Sequence, residues 1–376
     1  LSVWGLIVDC KNILILIIVT IFSLKISDII FDKFYNPAVQ IFGDSGVQRN
    51  LILKEYNPNK KAILVPPFDT SSLQIKQYKL NIDQDGFIQN GNNPEYIKKD
   101  DSPSIIFFGS STVESLYVSE EKRFVSVIER NLSKRFKRNI YLLNGGVSGN
   151  NSIHSLLNFI GKGIPLKPEY SVLMQNGTDL SLLRKSGSYW SAPHSRSIIQ
   201  ISSTDQTTLN LLRIIARNIK NFVAPNIWGF FRAKINEKKS TRDDFKIIRN
   251  DKAEFNDVKK MFKSALKSFV SVSRAWDIEP ILMTEFSRIN LKDEYFLNKY
   301  PYSDGIEYVE QYQDFNNIIR DVAKSENVLI IDLAKEIPQT KDFIYDGIHL
   351  NEKGSLLVAD IITKFFIDKL EKKLLN

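Results

Sequence analysis

Along the second part of the chain, apolar runs of strand length alternate with segments whose apolar residues recur at helical spacing. The runs are "SIIFFG" at 104–109, "NIYLLNG" at 139–145, "YSVLMQ" at 170–175, "EPILMTEF" at 279–286 and "NVLIIDL" at 327–333. They are nearly continuous in hydrophobicity, which is the pattern of strands buried on both faces. Helical patterns follow or intervene at about 120–135, 152–161, 255–276, 306–325 and 352–374. Strands alternating with helices long enough to cross over predict an α/β domain built on a five-stranded parallel sheet with both faces covered.

Three stretches break the alternation. The first, 181–254, is out of scale for a connection and reads as a long insertion. Its first half, "SGSYWSAPHSR", carries Tyr189, Trp190 and His194 and reads as a lid or substrate wall, with Tyr189 and Trp190 as candidate substrate-binding residues. Its second half, "RAKINEKKSTRDDFK", is basic and reads as solvated surface. The second stretch, 32–103, is rich in Asn, Asp, Pro and Gln, with short strand-like pieces at "KAILVPPF" and "YKLNIDQDGFIQ". It is expected to form a stalk with a small accessory lobe ahead of a catalytic domain over 104–376.

The third stretch opens the chain. "NILILIIVTIFSL", Asn12 to Leu24, is nearly all hydrocarbon, with Asp9 and Lys11 before it and Lys25 and Asp28 after it. This is shorter than the roughly 20 residues that span a bilayer. Ile26, Ile29, Ile30 and Phe31 extend it if the Lys25 stem lies along the apolar surface with its ammonium in the headgroups. No small-x-small cleavage site follows Leu24, so 1–31 reads as a single-pass membrane anchor. The flanking charges are too balanced to orient it.

Composition narrows the partners. With 376 residues, 43% apolar and 25% charged, the chain can bury a sizeable core. The net charge of +8 is a mild excess of 51 basic over 43 acidic residues, spread along the sequence. It suits an anionic surface or substrate, and the absence of zinc spacing, a basic zipper or an aromatic RNA-binding signature argues against nucleic acid. Cys10 is the one cysteine, so no intrachain disulfide forms. With three scattered histidines it gives no ligand spacing, and neither a metal nor another cofactor is expected. Oligomeric state is not legible.

Two serines compete as nucleophile. Ser45 lies in "IFGDSGVQ", but Pro37 breaks the segment before it and no crossover follows, so it reads as a turn. In "FFGSSTVES", Ser110 and Ser111 follow a buried strand and precede a helix-like segment, at the sheet edge where parallel α/β folds bind ligands. A helix N-terminus there would favour developing negative charge. A serine hydroxyl needs a base, usually an oriented histidine. His154 falls in a helical pattern and His194 in the long loop. His349, in "YDGIHLNEKG", has Asp346 three residues before it, between the last strand and the last helix. Donors for an oxyanion come from two further strand ends. "LNGGVSGNNS" is a glycine-rich turn, and "MQNGTDLS" offers Asn176 and Thr178.

The blocks "FFGSSTVES", "LNGGVSGNN", "QNGTD" and "DGIHLNEKG" resemble, in order, those of the SGNH or GDSL-like hydrolases, over about 104–376. The resemblance implies a flavodoxin-like three-layer αβα sandwich, the SGNH hydrolase fold. It implies Ser111 as nucleophile, with Ser110 where the family usually has aspartate, and Asp346 and His349 as its triad partners. The oxyanion hole would use the amides of Ser111 and Gly149. The third block departs, because Asn176-Gly177-Thr178-Asp179 stands for Gly-x-Asn-Asp. Thr178 replaces the usual asparagine, and either its hydroxyl or the Asn176 amide must substitute. Three functions stay open. One is an anchored, extracytoplasmic esterase removing O-acyl groups, most simply acetyl, from a polysaccharide. The second is an O-acyltransferase with the same triad, and the third is a non-catalytic glycan-binding module.

Overall fold

The computed structural model of the protein describes residues 54–66, 73, 77–90, 102–190, 198, 254–290, 292, 293, 296 and 302–374, with 12, 15–23 and 26 nearer the start. Most of the expected anchor, Ser45, His194 and most of the 181–254 stretch lie outside the described residues. Contacts divide the chain into two compact units, Leu1–Asn50 and Leu51–Asn376. In the first, residues 15–23 are helical and expose apolar side chains such as Ile15, Leu16 and Phe22. Among the described residues no helix is long and apolar enough to cross a membrane.

In the second unit, each of the five apolar runs contains a strand. These are β3 (Ser104–Gly109), β4 (Tyr141–Gly146), β5 (Tyr170–Met174), β6 (Glu279–Met283) and β7 (Leu329–Ile331), the last followed by the short α7 (Leu333–Glu336). They form one parallel sheet in the order β4-β3-β5-β6-β7. Counted within the sheet this is 2-1-3-4-5, the flavodoxin-like order, whose switch point lies between β3 and β5.

Side-chain alternation along the strands sorts the core into two layers. Ile105, Phe107, Val172, Met174, Ile281 and Met283 face α2 (Phe124–Phe136) and α8 (Glu352–Leu374), packing on residues such as Ile128 and Phe366. Ile106, Phe108, Leu173 and Leu282 face the other way, onto α5 (Phe255–Ala275) and α6 (Tyr302–Ser325), through Phe269 and Phe315 among others. Each fully buried Phe, Ile or Leu contributes about 1.5–3 kcal/mol. The near-continuous apolar runs are therefore a consequence of two covered faces.

One expectation is corrected. Residues 181–186 are not loop, because α4 (Gly177–Ser186) runs through them. Leu180, Leu182 and Leu183 are fully buried on it, and Gly187 closes it at φ 70°. The described parts of 32–103 carry a small cluster of their own, Leu80, Ile82 and Ile88 with Tyr56, Ala62 and Leu64. The antiparallel pair β1 (Lys61–Leu64) and β2 (Tyr78–Asn81) belongs to the same compact unit as the sheet. Just past β2, the Ile88 N–H donates to the Asn144 carbonyl of β4 at 3.0 Å, and the Lys162 ammonium pairs with Glu55 at 3.2 Å and donates to the Gly86 carbonyl at 2.9 Å.

Candidate active site

Register brings three strand ends level, since Gly109 of β3 pairs with Gly146 of β4 and with Met174 of β5. Beyond Gly109 the backbone stays extended at Ser110 (φ −90°, ψ −154°) and then turns into α1 (Ser111–Glu114), a four-residue helix stopped by Ser115 at φ 52°. The turn is tight enough that only glycine fits beside it. A Cβ on Gly109 would lie 2.6 Å from the Met174 carbonyl oxygen, and one on Gly146 would lie 2.8 Å from the Glu114 Cα. The helix-like segment expected after the serines is thus a single turn. Its dipole is small, and the anion-stabilising groups are individual N–H donors.

On the other side of the site, the Asp346–His349 segment sits in a short closed loop. Ile344 and Leu350 form an antiparallel bridge, the Tyr345 N–H donates to the His349 carbonyl at 2.9 Å, and the Arg288 N–H donates to the Gly347 carbonyl at 2.8 Å. Within the loop Asp346 Oδ1 accepts the N–H groups of Ile348 and His349, at 2.9 and 2.8 Å. Its Oδ2 lies 2.7 Å from His349 Nδ1, and His349 Nε2 lies 2.7 Å from Ser111 Oγ. Tyr345 stacks on the imidazole with ring centroids 5.6 Å apart.

The electrostatics suit a base held by a carboxylate. Burial would raise the Asp346 carboxyl, but the His349 hydrogen bond and charge, with the two backbone N–H groups, bring it below the ordinary carboxylate range. Burial would depress His349, yet the Asp346 hydrogen bond and charge, aided by the charges of Glu285 and Glu114, raise it above its ordinary value. Asp346 accepting at Nδ1 leaves Nε2 to take the Ser111 proton.

Gly149 has φ 75°, a left-handed conformation open to glycine. Neither its N–H nor that of Ser111 is engaged by a described residue. Thr178 lies in the first turn of α4, largely buried. Asn176 Nδ2 donates to the Tyr312 carbonyl at 3.0 Å and holds α6 with one of its two N–H groups. Tyr189 corrects an expectation. It is fully buried, its hydroxyl donates to Asp179 at 2.5 Å, and it is a core residue rather than a substrate wall. The reason is the buried carboxylate, which needs donors. Asp179 also accepts the Ser152 N–H at 3.0 Å, tying α4 to α3 (Ser152–Asn158), and burial still pushes it up to about 6. Trp190, next in sequence, is 53% exposed. His154 is buried in α3, where it closes a capping box with Asn151.

Two further carboxyls support the site. Glu285, just past β6, is fully buried and accepts the Gly177 N–H at 3.0 Å, while Asn316 bonds its backbone on both sides at 3.0 Å. Burial pushes it up to about 7, against the Gly177 N–H and the His349 charge. Its position as an acid at the carboxyl end of a buried strand does not by itself single it out in the sequence. Glu114, three residues after Ser111, accepts the Ser148 N–H at 2.9 Å, the Ser148 hydroxyl and the Tyr56 hydroxyl. No local pattern announces it, because its partners are distant in sequence. Among the described residues no cluster of His, Cys, Asp and Glu could hold a metal.

No protein-family model matches the chain, and no curated protein matches it. Among solved structures, a lipase/acylhydrolase from Enterococcus faecalis aligns at 15% identity with a TM-score of 0.43, over 71% of this chain and 96% of that one. An acetylxylan esterase, Axe2 from Geobacillus stearothermophilus, aligns at 13% identity and a TM-score of 0.40, over 70% and 93%. A protein assigned to the G-D-S-L family of lipolytic proteins, from Desulfitobacterium hafniense DCB-2, aligns at 11% identity and a TM-score of 0.39, over 70% and 99%. At these identities and scores the chemistry of this chain rests on its own residues.

Proposed function

We propose that this protein is an SGNH-like serine esterase that removes O-acyl groups, most simply acetyl, from an extracytoplasmic polysaccharide while held at a membrane by its first residues. The observation that carries the reading is the relay Asp346–His349–Ser111, with 2.7 Å at each step. His349 takes the Ser111 proton as Oγ attacks the ester carbonyl, and the N–H groups of Ser111 and Gly149 receive the oxyanion. The protonated imidazole then gives its proton to the departing sugar oxygen, leaving an acyl-serine. Water, deprotonated by His349, attacks the acyl carbon, and Ser111 leaves with its proton restored. The exposed Trp190 face supports a sugar substrate, and the exposed apolar side chains over residues 15–22 support membrane attachment.

The test is hydrolysis of p-nitrophenyl acetate and of acetylated xylan by the full chain expressed in bacteria and fractionated. Turnover should sediment with membranes and fall by about 10⁴–10⁶ in Ser111→Ala and His349→Ala, both still folded. Wild-type turnover in His349→Ala would sink the triad assignment, and activity confined to the soluble fraction would remove the anchor. A fluorophosphonate adduct on Ser111 without hydrolysis of either ester would transfer the reading to an acyltransferase. No adduct at all would leave the glycan-binding module.

A further inference from the structure

The Ser148–Gly149 peptide is gripped from outside the region that carries the catalytic blocks. Lys54 Nζ donates to the Ser148 carbonyl at 2.8 Å. The Lys54 residue is itself pinned, because its own carbonyl accepts from Asn150 Nδ2 and Asn158 Nδ2, each at 3.1 Å, and both asparagines are fully buried. On the other side of Ser148, its N–H and hydroxyl are held by Glu114, which also takes the Tyr56 hydroxyl. Tyr56 keeps its proton and donates, because burial and the Glu114 charge raise it well above the ordinary phenol value.

In a planar trans peptide the carbonyl of one residue and the N–H of the next point in opposite directions. Fixing the Ser148 carbonyl on Lys54 therefore fixes where the Gly149 N–H points. Gly149 is the residue at which such a peptide can most easily rotate, since glycine accepts either sign of φ and here takes φ 75°. The ammonium also draws electron density onto the carbonyl oxygen, which makes the N–H of the same peptide a better donor.

We infer that Lys54 is a positioning residue for the oxyanion hole: its ammonium holds the Ser148–Gly149 peptide so that the Gly149 N–H faces the reacting carbonyl. The segment at Lys54–Tyr56, more than fifty residues before Ser111 in the chain, is thereby a working part of the catalytic site. The inference rests on the esterase reading for its kinetic consequence, but not for its geometric one.

Both consequences are measurable on the full chain. Lys54→Met removes the ammonium and leaves the backbone contacts to Asn150 and Asn158 in place. For p-nitrophenyl acetate kcat should fall by about 10²-fold, the loss typical of one oxyanion donor, with KM unchanged. Lys54→Arg, which can still donate to the carbonyl, should restore most of it. A kcat for Lys54→Met within about twofold of wild type would overturn the assignment. A crystal structure of Lys54→Met reads the orientation without any assay. A rotated Ser148–Gly149 peptide supports the inference, and the unrotated peptide overturns it. Absence of Ser111-dependent turnover in the wild type would remove the esterase reading and leave this structural comparison to decide the role of Lys54.

Discussion

His349 works among several acidic groups, and their separate effects on it can be read from pH. Asp346 meets it at Nδ1, Glu285 and Glu114 act on it through their charges, and Tyr345 covers one face of the ring. Turnover requires neutral imidazole, so the raised His349 value places the acidic limb of kcat/KM above the ordinary histidine range. Glu285, pushed up to about 7, is ionised over the upper part of that limb. Glu285→Gln removes its negative charge, weakens the preference for imidazolium and should move the limb to lower pH. Gln can still accept the Gly177 N–H, so α4 stays in place. An unmoved limb in a pH profile would exclude Glu285 from setting the base. Residues such as Asp346 and His349 were legible in sequence because their partnership is local, three positions apart. Ser111 was legible because a buried strand ending on hydroxyls is otherwise unexplained. Glu285, Glu114 and Lys54 were not, since each acts on a residue brought near only by folding.

At the scale of elements, the site depends on how closely α1 lies against the end of β4. That approach is set by Gly146, where an added methyl would meet the backbone nitrogen of Glu114 and crowd its Cα and the Val113 carbonyl carbon, both at 2.8 Å. Backbone cannot yield as a side-chain tip can, so α1 must shift, and with it Ser111. Gly146→Ala is expected to destabilise the protein by about 1–3 kcal/mol, the usual cost of overpacking, and to depress kcat more than any surface change of equal cost. Urea unfolding and esterase turnover measured together check this, and wild-type values of both would show that α1 does not depend on the contact. The strands and the long helices could be read from sequence because apolar periodicity over many residues is a strong signal. α4 was missed because a short helix after Asn-Gly, with buried leucines but charged neighbours, has no full amphipathic stripe. The link of the 54–90 pieces to the edge of β4, through the Ile88 N–H and the Asn144 carbonyl, was not legible because polar composition does not reveal a long-range backbone bond.

The molecule as a whole carries buried acids on the active-site side of the sheet, and this sets how its stability depends on pH. Burial holds Glu285 at about 7 and Asp179 at about 6, both above their unfolded values. Between the unfolded and folded values the native state binds more protons than the unfolded chain, so stability falls as pH rises through that window. His349, also raised, adds stability below its unfolded value that is lost as pH climbs through its folded one. Asp346 and Asp332 act in the opposite sense at lower pH. Burial raises Asp332, but its bonds to Arg320, Lys335 and Thr284 outweigh that and bring it to about 2, so its contribution is present above the ordinary carboxylate range and lost as pH falls through about 2. Together these favour the mildly acidic range over pH 8, by an amount of the order of a few kcal/mol, because each tenfold change in a group's proton affinity on folding is worth about 1.4 kcal/mol. The net charge of +8 grows at lower pH and its self-repulsion opposes this trend. Measurement in about 0.5 M salt, where the screening length is only a few ångströms, separates the two effects. Urea unfolding at pH 5 and pH 8 should give the larger free energy at pH 5, with a smaller difference in Glu285→Gln. Equal or greater stability at pH 8 would mean that Glu285 and Asp179 are ionised in the folded state at no cost. In that event the buried donors around them, Gly177 N–H, Ser152 N–H and the Tyr189 hydroxyl, must compensate fully for the loss of water.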